Sequence, residues 1–162
     1  MKNHFKLNRI RIKWFLGIAI IVWAAFYCSQ NWYQLMLIQG DSMSPAYHNM
    51  QLTVIDKHSE DYVYNDVIAF KCEKLDNVLV KRIAACPGDS VVIKNGTLYV
   101  NGKISMVYQT EGIFKEAGIA EQGLVLQEKQ YFVIGDNVAE SKDSRYEEIG
   151  CVELKDILGR LL

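Results

Sequence analysis

From Trp14 to Cys28 the chain runs WFLGIAIIVWAAFYC, fifteen residues without a charge or a strongly polar group. An apolar run of that length has two ordinary destinations, the hydrocarbon of a bilayer or the core of a secretory signal. Ser29, Gln30 and Asn31 interrupt it, and Trp32 and Tyr33 then supply aromatic rings suited to a lipid–water interface. Counted from Trp14 to Tyr33 the span is twenty residues, the length that crosses about 30 Å of hydrocarbon as a helix. Five basic residues precede it, Lys2, Lys6, Arg9, Arg11 and Lys13, and no acidic residue occurs before Asp41. That asymmetry predicts a cytoplasmic segment 1–13, a transmembrane anchor 14–33 and an extracytoplasmic body 34–162 in a cell membrane protein. A cleaved signal fits less well. Val22-Trp23-Ala24 is a thin cleavage match, and Phe26-Tyr27-Cys28 lacks the small residues expected before a lipid-modified cysteine.

Once the basic leader is set aside, the chain carries thirteen basic against nineteen acidic residues, a net of −6. A body this acidic is a poor wrapper of nucleic acid. Cysteines stand at 28, 72, 86 and 151, with no CxxC and no histidine at ligand spacing, which argues against a metal site. With Cys28 in the span, three remain outside, and buried free thiols are the favoured reading.

The body reads as short β-rich runs separated by turn residues, and so as one mostly antiparallel β domain. Strands are predicted over 35–39, 51–56, 67–71, 78–84, 90–94, 97–101 and 131–135. Asn95-Gly96, between VVIK and TLYV, is a two-residue hairpin signal because both turn positions tolerate positive φ. Asn101-Gly102 marks a second turn. Residues 103–129 have weak periodicity and three glycines, and read as a small irregular insertion or flap. Leu154, Ile157, Leu158 and Leu161 recur at helical spacing, predicting a short closing helix.

Two segments carry chemistry. Gly40-Asp41-Ser42-Met43-Ser44-Pro45 offers a serine shortly after the anchor, and Val80-Lys81-Arg82-Ile83-Ala84-Ala85 offers a lysine among apolar residues. Serine attacks a carbonyl only when a neighbouring base takes its proton. His48 and His58 have no orienting acid beside them, so a Ser-His-Asp triad is poorly supplied. Lysine serves as that base only if burial lowers its pKa, since an ammonium accepts no proton. Strand alternation sends Lys81 and Arg82 to opposite faces, so one can be buried while the other reaches water or a carboxylate. Taken singly, a serine in a turn and a lysine in a strand are ordinary structural residues.

Taken together they are not. GDSMSP, Asn65-Asp66-Val67-Ile68-Ala69-Phe70, KRIAACPGD and Gly135-Asp136-Asn137-Val138-Ala139-Glu140-Ser141-Lys142-Asp143-Ser144-Arg145 follow in that order behind the anchor. This series resembles the bacterial type I signal peptidases, membrane-bound Ser/Lys serine proteases that remove signal peptides from exported proteins. The resemblance runs from the anchor to Gly150 and the closing 157–160, and it lies nearer the Gram-positive-like branch. It implies the β fold shared with LexA-like proteins, with Ser42 as nucleophile and Lys81 as general base. It also implies that the Ser141 hydroxyl bonds the lysine and that Gly135 leaves room beside it. Asp143 and Arg145 would form a supporting ion pair, and Arg82 would be a structural arginine. Met36, Ile38, Met43 and Val80 would line pockets for small residues at the −1 and −3 positions of the cut. The partners implied are exported preproteins and the lipid bilayer, with no metal or organic cofactor required. The Ser42 N–H would be one oxyanion donor; the family's alternative serine hydroxyl is absent, because Gly40 stands there. Ala46 and Val138 depart from the family's usual Thr and Arg. Other readings are a conjugative or pilin-processing relative dedicated to one client, a LexA-like repressor, which lacks an anchor, and a non-catalytic pilus assembly factor, which loses the Ser or Lys kept here.

Overall fold

The structure, a computed structural model, describes residues 2–59, 61–110 and 112–162, with backbone alone for 2–11 and 28–31. Its first element, α1 (Lys2–Trp32), is a 31-residue helix that takes in the basic leader and the apolar run. Trp14, Phe15, Leu16, Ile18, Ile20, Ile21, Val22, Trp23 and Phe26 are all exposed along it. Among the described residues no helix is long and apolar enough to cross a membrane. The expected 14–33 span also gives up Tyr33, whose backbone is already strand, opposite Asp56.

The body is built of β1 (Tyr33–Leu37), β2 (Leu52–Asp56), β3 (Val67–Cys72), β4 (Asn77–Ala85), β5 (Ser90–Lys94), β6 (Thr97–Val100), β7 (Lys103–Ile104), β8 (Leu124–Val125), β9 (Gln130–Ile134), β10 (Val152–Glu153) and β11 (Ile157–Leu161). Seven of these form one sheet in the order β1-β2-β11-β3-β4-β9-β10, and four form a smaller sheet in the order β7-β6-β5-β8. Every pairing is antiparallel. The seven predicted strands are all present, with ends shifted by at most two residues. At the β5–β6 turn Asn95 and Gly96 have φ of 49° and 74°, the doubly positive pair that lets the hairpin twist with its strands.

The closing helix is not formed. Residues 152–162 instead give β10, one 3₁₀ turn (Leu154–Asp156) and β11. Strand β11 slots between β2 and β3, where two sheet edges would otherwise be left unpaired. The hydrophobic spacing suits either element, and the long-range partners decide. The 103–129 segment is irregular over most of its described length, with β7, β8 and a 3₁₀ turn (Gly118–Ala120) joining it to the smaller sheet and its cover.

Apolar side chains gather in three places. Ile68, Phe70, Ile83 and Val133 fill the space along β3, β4 and β9, and each such burial contributes about 1.5–3 kcal/mol. Leu98, Phe114, Leu126, Phe132, Ile134 and Val138 join the smaller sheet to the 103–129 segment. Ile38, Met43, Ile55, Ala69 and Val80 lie beneath the first box. Cys72, Cys86 and Cys151 are free thiols, the first of them buried.

Candidate active site

Ser42 lies in the turn that follows β1, half-buried. Two bonds from the last box hold that turn in place: the Asn137 N–H donates to Ser42 O at 3.0 Å, and Asn137 Nδ2 to Asp41 O at 3.3 Å. Lys81 sits in the middle of β4 opposite Ile68, with only 3% of its surface exposed. Its Nζ is 2.7 Å from Ser42 Oγ. Burial pulls the Lys81 pKa down from 10.5 to about 8, against the opposing pull of the Asp143 and Asp136 carboxylates. A residue sequence separation of 39 is thus closed into one hydrogen bond.

The next residue faces the other way, as the alternation required. Arg82 meets Asp136 in a two-pronged pair, Nε to Oδ1 at 2.8 Å and NH2 to Oδ2 at 2.6 Å, and NH1 donates to Asn65 O at 3.0 Å. Asp136 and Asn137 follow Gly135 in the quoted box, but nothing in the sequence assigned them these duties.

Asp143 and Arg145 form an ion pair, at 2.7 Å from Nε to Oδ1 and 2.9 Å from NH2 to Oδ2, with 0% and 3% exposure. A charge pair so buried holds only when its remaining donors and acceptors are satisfied. Here Asp143 Oδ2 also accepts the Gly135 N–H at 3.2 Å, and Arg145 NH2 donates to Val138 O and Ser141 O, each at 3.0 Å. Val138 itself is 6% exposed and packs in the core, so its place in the loop is apolar.

Ser141 departs from expectation. It is buried, yet its Oγ has no hydrogen-bond partner, and it makes no bond to Lys81. The lysine amine is engaged with Ser42 instead. The hydroxyl packs against Gly135, where an added Cβ would collide with Ser141 Oγ and lie 2.5 Å from Ser42 O. Only a residue without a side chain fits between the two serines. Gly135→Ala is accordingly expected to slow at least tenfold any reaction that Ser42 carries out, by pushing these groups apart; steady-state kinetics beside a melting curve would check it.

Met36, Ile38, Met43 and Val80 are brought together with Ser42 and Lys81 around a groove of about 230 Å³, which Asn77, Val78 and Leu79 also line. Two strand edges border the groove. β1 pairs with β2 alone. β9 pairs with β4 only from Arg82 onward, so residues 77–81 of β4 keep one edge free. A larger concavity of about 660 Å³, over Ile93–Gly96 and Phe114–Gly118, touches neither Ser42 nor Lys81.

An antiparallel β body that holds a buried lysine against a serine, beside an open groove edged by free strands, is built as a peptide-bond hydrolase. The signal peptidase, peptidase S26, family matches residues 11–162. A signal peptidase I of Bacillus licheniformis is 31% identical, over 98% of this chain and 89% of its own. The signal peptidase I U of Bacillus subtilis is 32% identical, over 92% and 85%. The crystal structure of a signal peptidase I from Enterococcus faecalis is 31% identical with a TM-score of 0.52, covering 63% of this chain and 97% of that one. The chain belongs to the signal peptidase family, among the bacterial type I enzymes.

Proposed function

We propose that this chain is a membrane-anchored serine endopeptidase that removes signal peptides from exported preproteins, with Ser42 as nucleophile and Lys81 as general base. The observation that carries the reading is the 2.7 Å approach of a buried amine to Ser42 Oγ on the floor of the groove. The precursor's cleavage segment enters as an extended strand between the free edge of β1 and that of β4, aligned by main-chain hydrogen bonds. Met36, Ile38, Met43 and Val80 leave little room beneath it, which favours small residues beside the cut. Neutral Lys81 accepts the Ser42 proton as Oγ attacks the carbonyl, and passes it to the leaving amine. The same amine then deprotonates the water that releases the acyl group.

The Ser42 N–H donates to no protein acceptor among the described residues, and so is free to bind the oxyanion. Gly40 N–H is occupied by Asn49 Oδ1 at 3.0 Å. Arg82 and the Asp143–Arg145 pair brace the site without taking part in proton transfer. Helix α1 is the anchor in this reading. The exposed Trp14, Leu16, Ile18, Ile21 and Trp23 side chains along it support that reading. The basic leader places residues 1–13 in the cytoplasm and the β body outside.

Incubating the purified protein in detergent with a preprotein, followed by N-terminal sequencing of the product, tests the proposal. Cleavage after a small residue at the signal boundary is the expected result; no cut there defeats it. Because only the neutral amine is a base, kcat/KM should rise about tenfold per pH unit on the acid side and level off above the Lys81 pKa of about 8. A flat profile between pH 5 and roughly 9 would exclude this lysine.

A further inference from the structure

Residues 113–120 form a strap that lies outside the seven-stranded sheet, against the loop that carries Ser141 and Asp143. We propose that this strap is a positioning element for the site, and that Phe114 acts on catalysis through Arg145. The inference rests on the reading of Ser42 and Lys81 given above.

The strap is fixed at its outer end. The Phe114 N–H donates to Gly96 O of the β5–β6 turn at 3.0 Å, and the ring, 3% exposed, meets Tyr108 edge-on at 5.7 Å. Tyr108 in turn donates its hydroxyl to Ile134 O, the residue before Gly135, at 3.1 Å. At its inner end the strap closes on Arg145 from several directions. The guanidinium carbon lies 5.4 Å over the Phe114 ring and 5.7 Å over that of Tyr146. NH1 reaches Glu116 O at 3.5 Å, and the Ile119 N–H donates to Arg145 O at 2.9 Å. Tyr146 donates its hydroxyl to Glu116 Oε2 at 3.0 Å. A Cβ on Gly118 would collide with the Arg145 carbonyl oxygen, so the two backbones touch.

What Arg145 does with its remaining donors gives the strap its reach. Its NH2 holds Val138 O, Ser141 O and Asp143 Oδ2, and the same Asp143 oxygen holds the Gly135 N–H. Gly135 in turn packs against both Ser42 O and Ser141 Oγ. The Phe114 ring lies against one side of the guanidinium and helps to hold the plane in which its hydrogen bonds run. Replacing the Phe114 ring by an aliphatic side chain leaves a filled core but frees that plane, and the error passes through two hydrogen bonds to the reacting pair. The groove residues Met36, Ile38, Met43 and Val80 belong to a pocket and an apolar cluster in which no strap residue takes part. Turnover should therefore suffer while substrate binding does not.

The test compares kcat and KM for cleavage of a preprotein by the full chain in detergent. Phe114→Leu should lower kcat about three- to thirtyfold with KM within about twofold, and Phe114→Tyr or Phe114→Trp should restore most of it. Leu98→Ala, in the same core but away from Arg145, is the control. It should lose at least as much melting temperature as Phe114→Leu with kcat nearly unchanged. If Phe114→Leu does not fold, the half-exposed Tyr146→Leu takes its place, with a kcat loss of about two- to fivefold that Tyr146→Phe does not share. Equal kcat for Phe114→Leu and wild type, or a loss no larger than that of Leu98→Ala, overturns the proposal, as does an unchanged kcat in Tyr146→Leu. Ser42→Ala run alongside separates the two readings. If it is inert while the ring variants are fast, only the strap proposal falls; if it still cleaves, the site itself is misassigned and both fall.

Discussion

Ser42→Ala and Lys81→Ala are each expected to reduce preprotein cleavage by about 10⁴-fold or more, and the double variant to be no worse than either alone. The serine supplies the electrons for the new acyl bond, and the amine removes the proton that would otherwise hold them. Either one without the other leaves the carbonyl unattacked. Lys81→Arg should be as inert as Lys81→Ala, since a guanidinium keeps its proton at any working pH. That variant is informative because it preserves the positive charge and much of the length. Residual activity in Lys81→Arg would mean that the cation, and not the lone pair, is what the reaction uses. Single-turnover cleavage followed on gels, with melting curves to establish folding, would decide between them. An additive double variant would instead point to two independent routes.

Much of this site could be read before the fold was known, and the parts that could not share one physical cause. Alternation along β4 was enough to send Lys81 and Arg82 to opposite faces, because a strand's faces are fixed by its own period; which of the two is the more deeply buried came from the fold. The Asn95-Gly96 turn was equally local. The chain's end was misread because Leu154, Ile157, Leu158 and Leu161 satisfy a helix and a strand alike, and β11 is decided by β2 and β3, about a hundred residues earlier in the chain. The two-residue strands β7 and β8 within 103–129 were not legible for the same reason, since such strands are specified by their partners. Family resemblance supplied the Asp143–Arg145 pair, but it could not say that the Phe114 ring lies 5.4 Å from that guanidinium. It also set Ser141 on the lysine, whereas here the lysine bonds Ser42 and the Ser141 hydroxyl is left buried alone. Burying polar groups beside a reacting pair carries a desolvation cost that the rest of the fold must offset.

Lys81 itself should be the largest such cost, and Lys81→Met is expected to make the protein inactive and more stable. The folded pKa of about 8 lies below the unfolded value of 10.5. Between those two values the unfolded chain binds the extra proton, so wild-type stability rises with pH across that window. Below pH 8 the full penalty of holding an ammonium in the site is present, about 3 kcal/mol for a shift of this size. Methionine fills a similar volume with no charge to desolvate. At pH 7 the variant should therefore unfold about 1–3 kcal/mol harder than wild type, less the lost contact with Ser42. By pH 10.5 the advantage should have vanished. Taking the difference between the two proteins at each pH cancels every other titrating group they share, so denaturant unfolding of both at pH 7 and near pH 10 isolates this one lysine. A variant less stable than wild type at pH 7, or a difference independent of pH, would mean that Lys81 is held comfortably charged. An ammonium so held could not be the base that the 2.7 Å approach to Ser42 Oγ calls for.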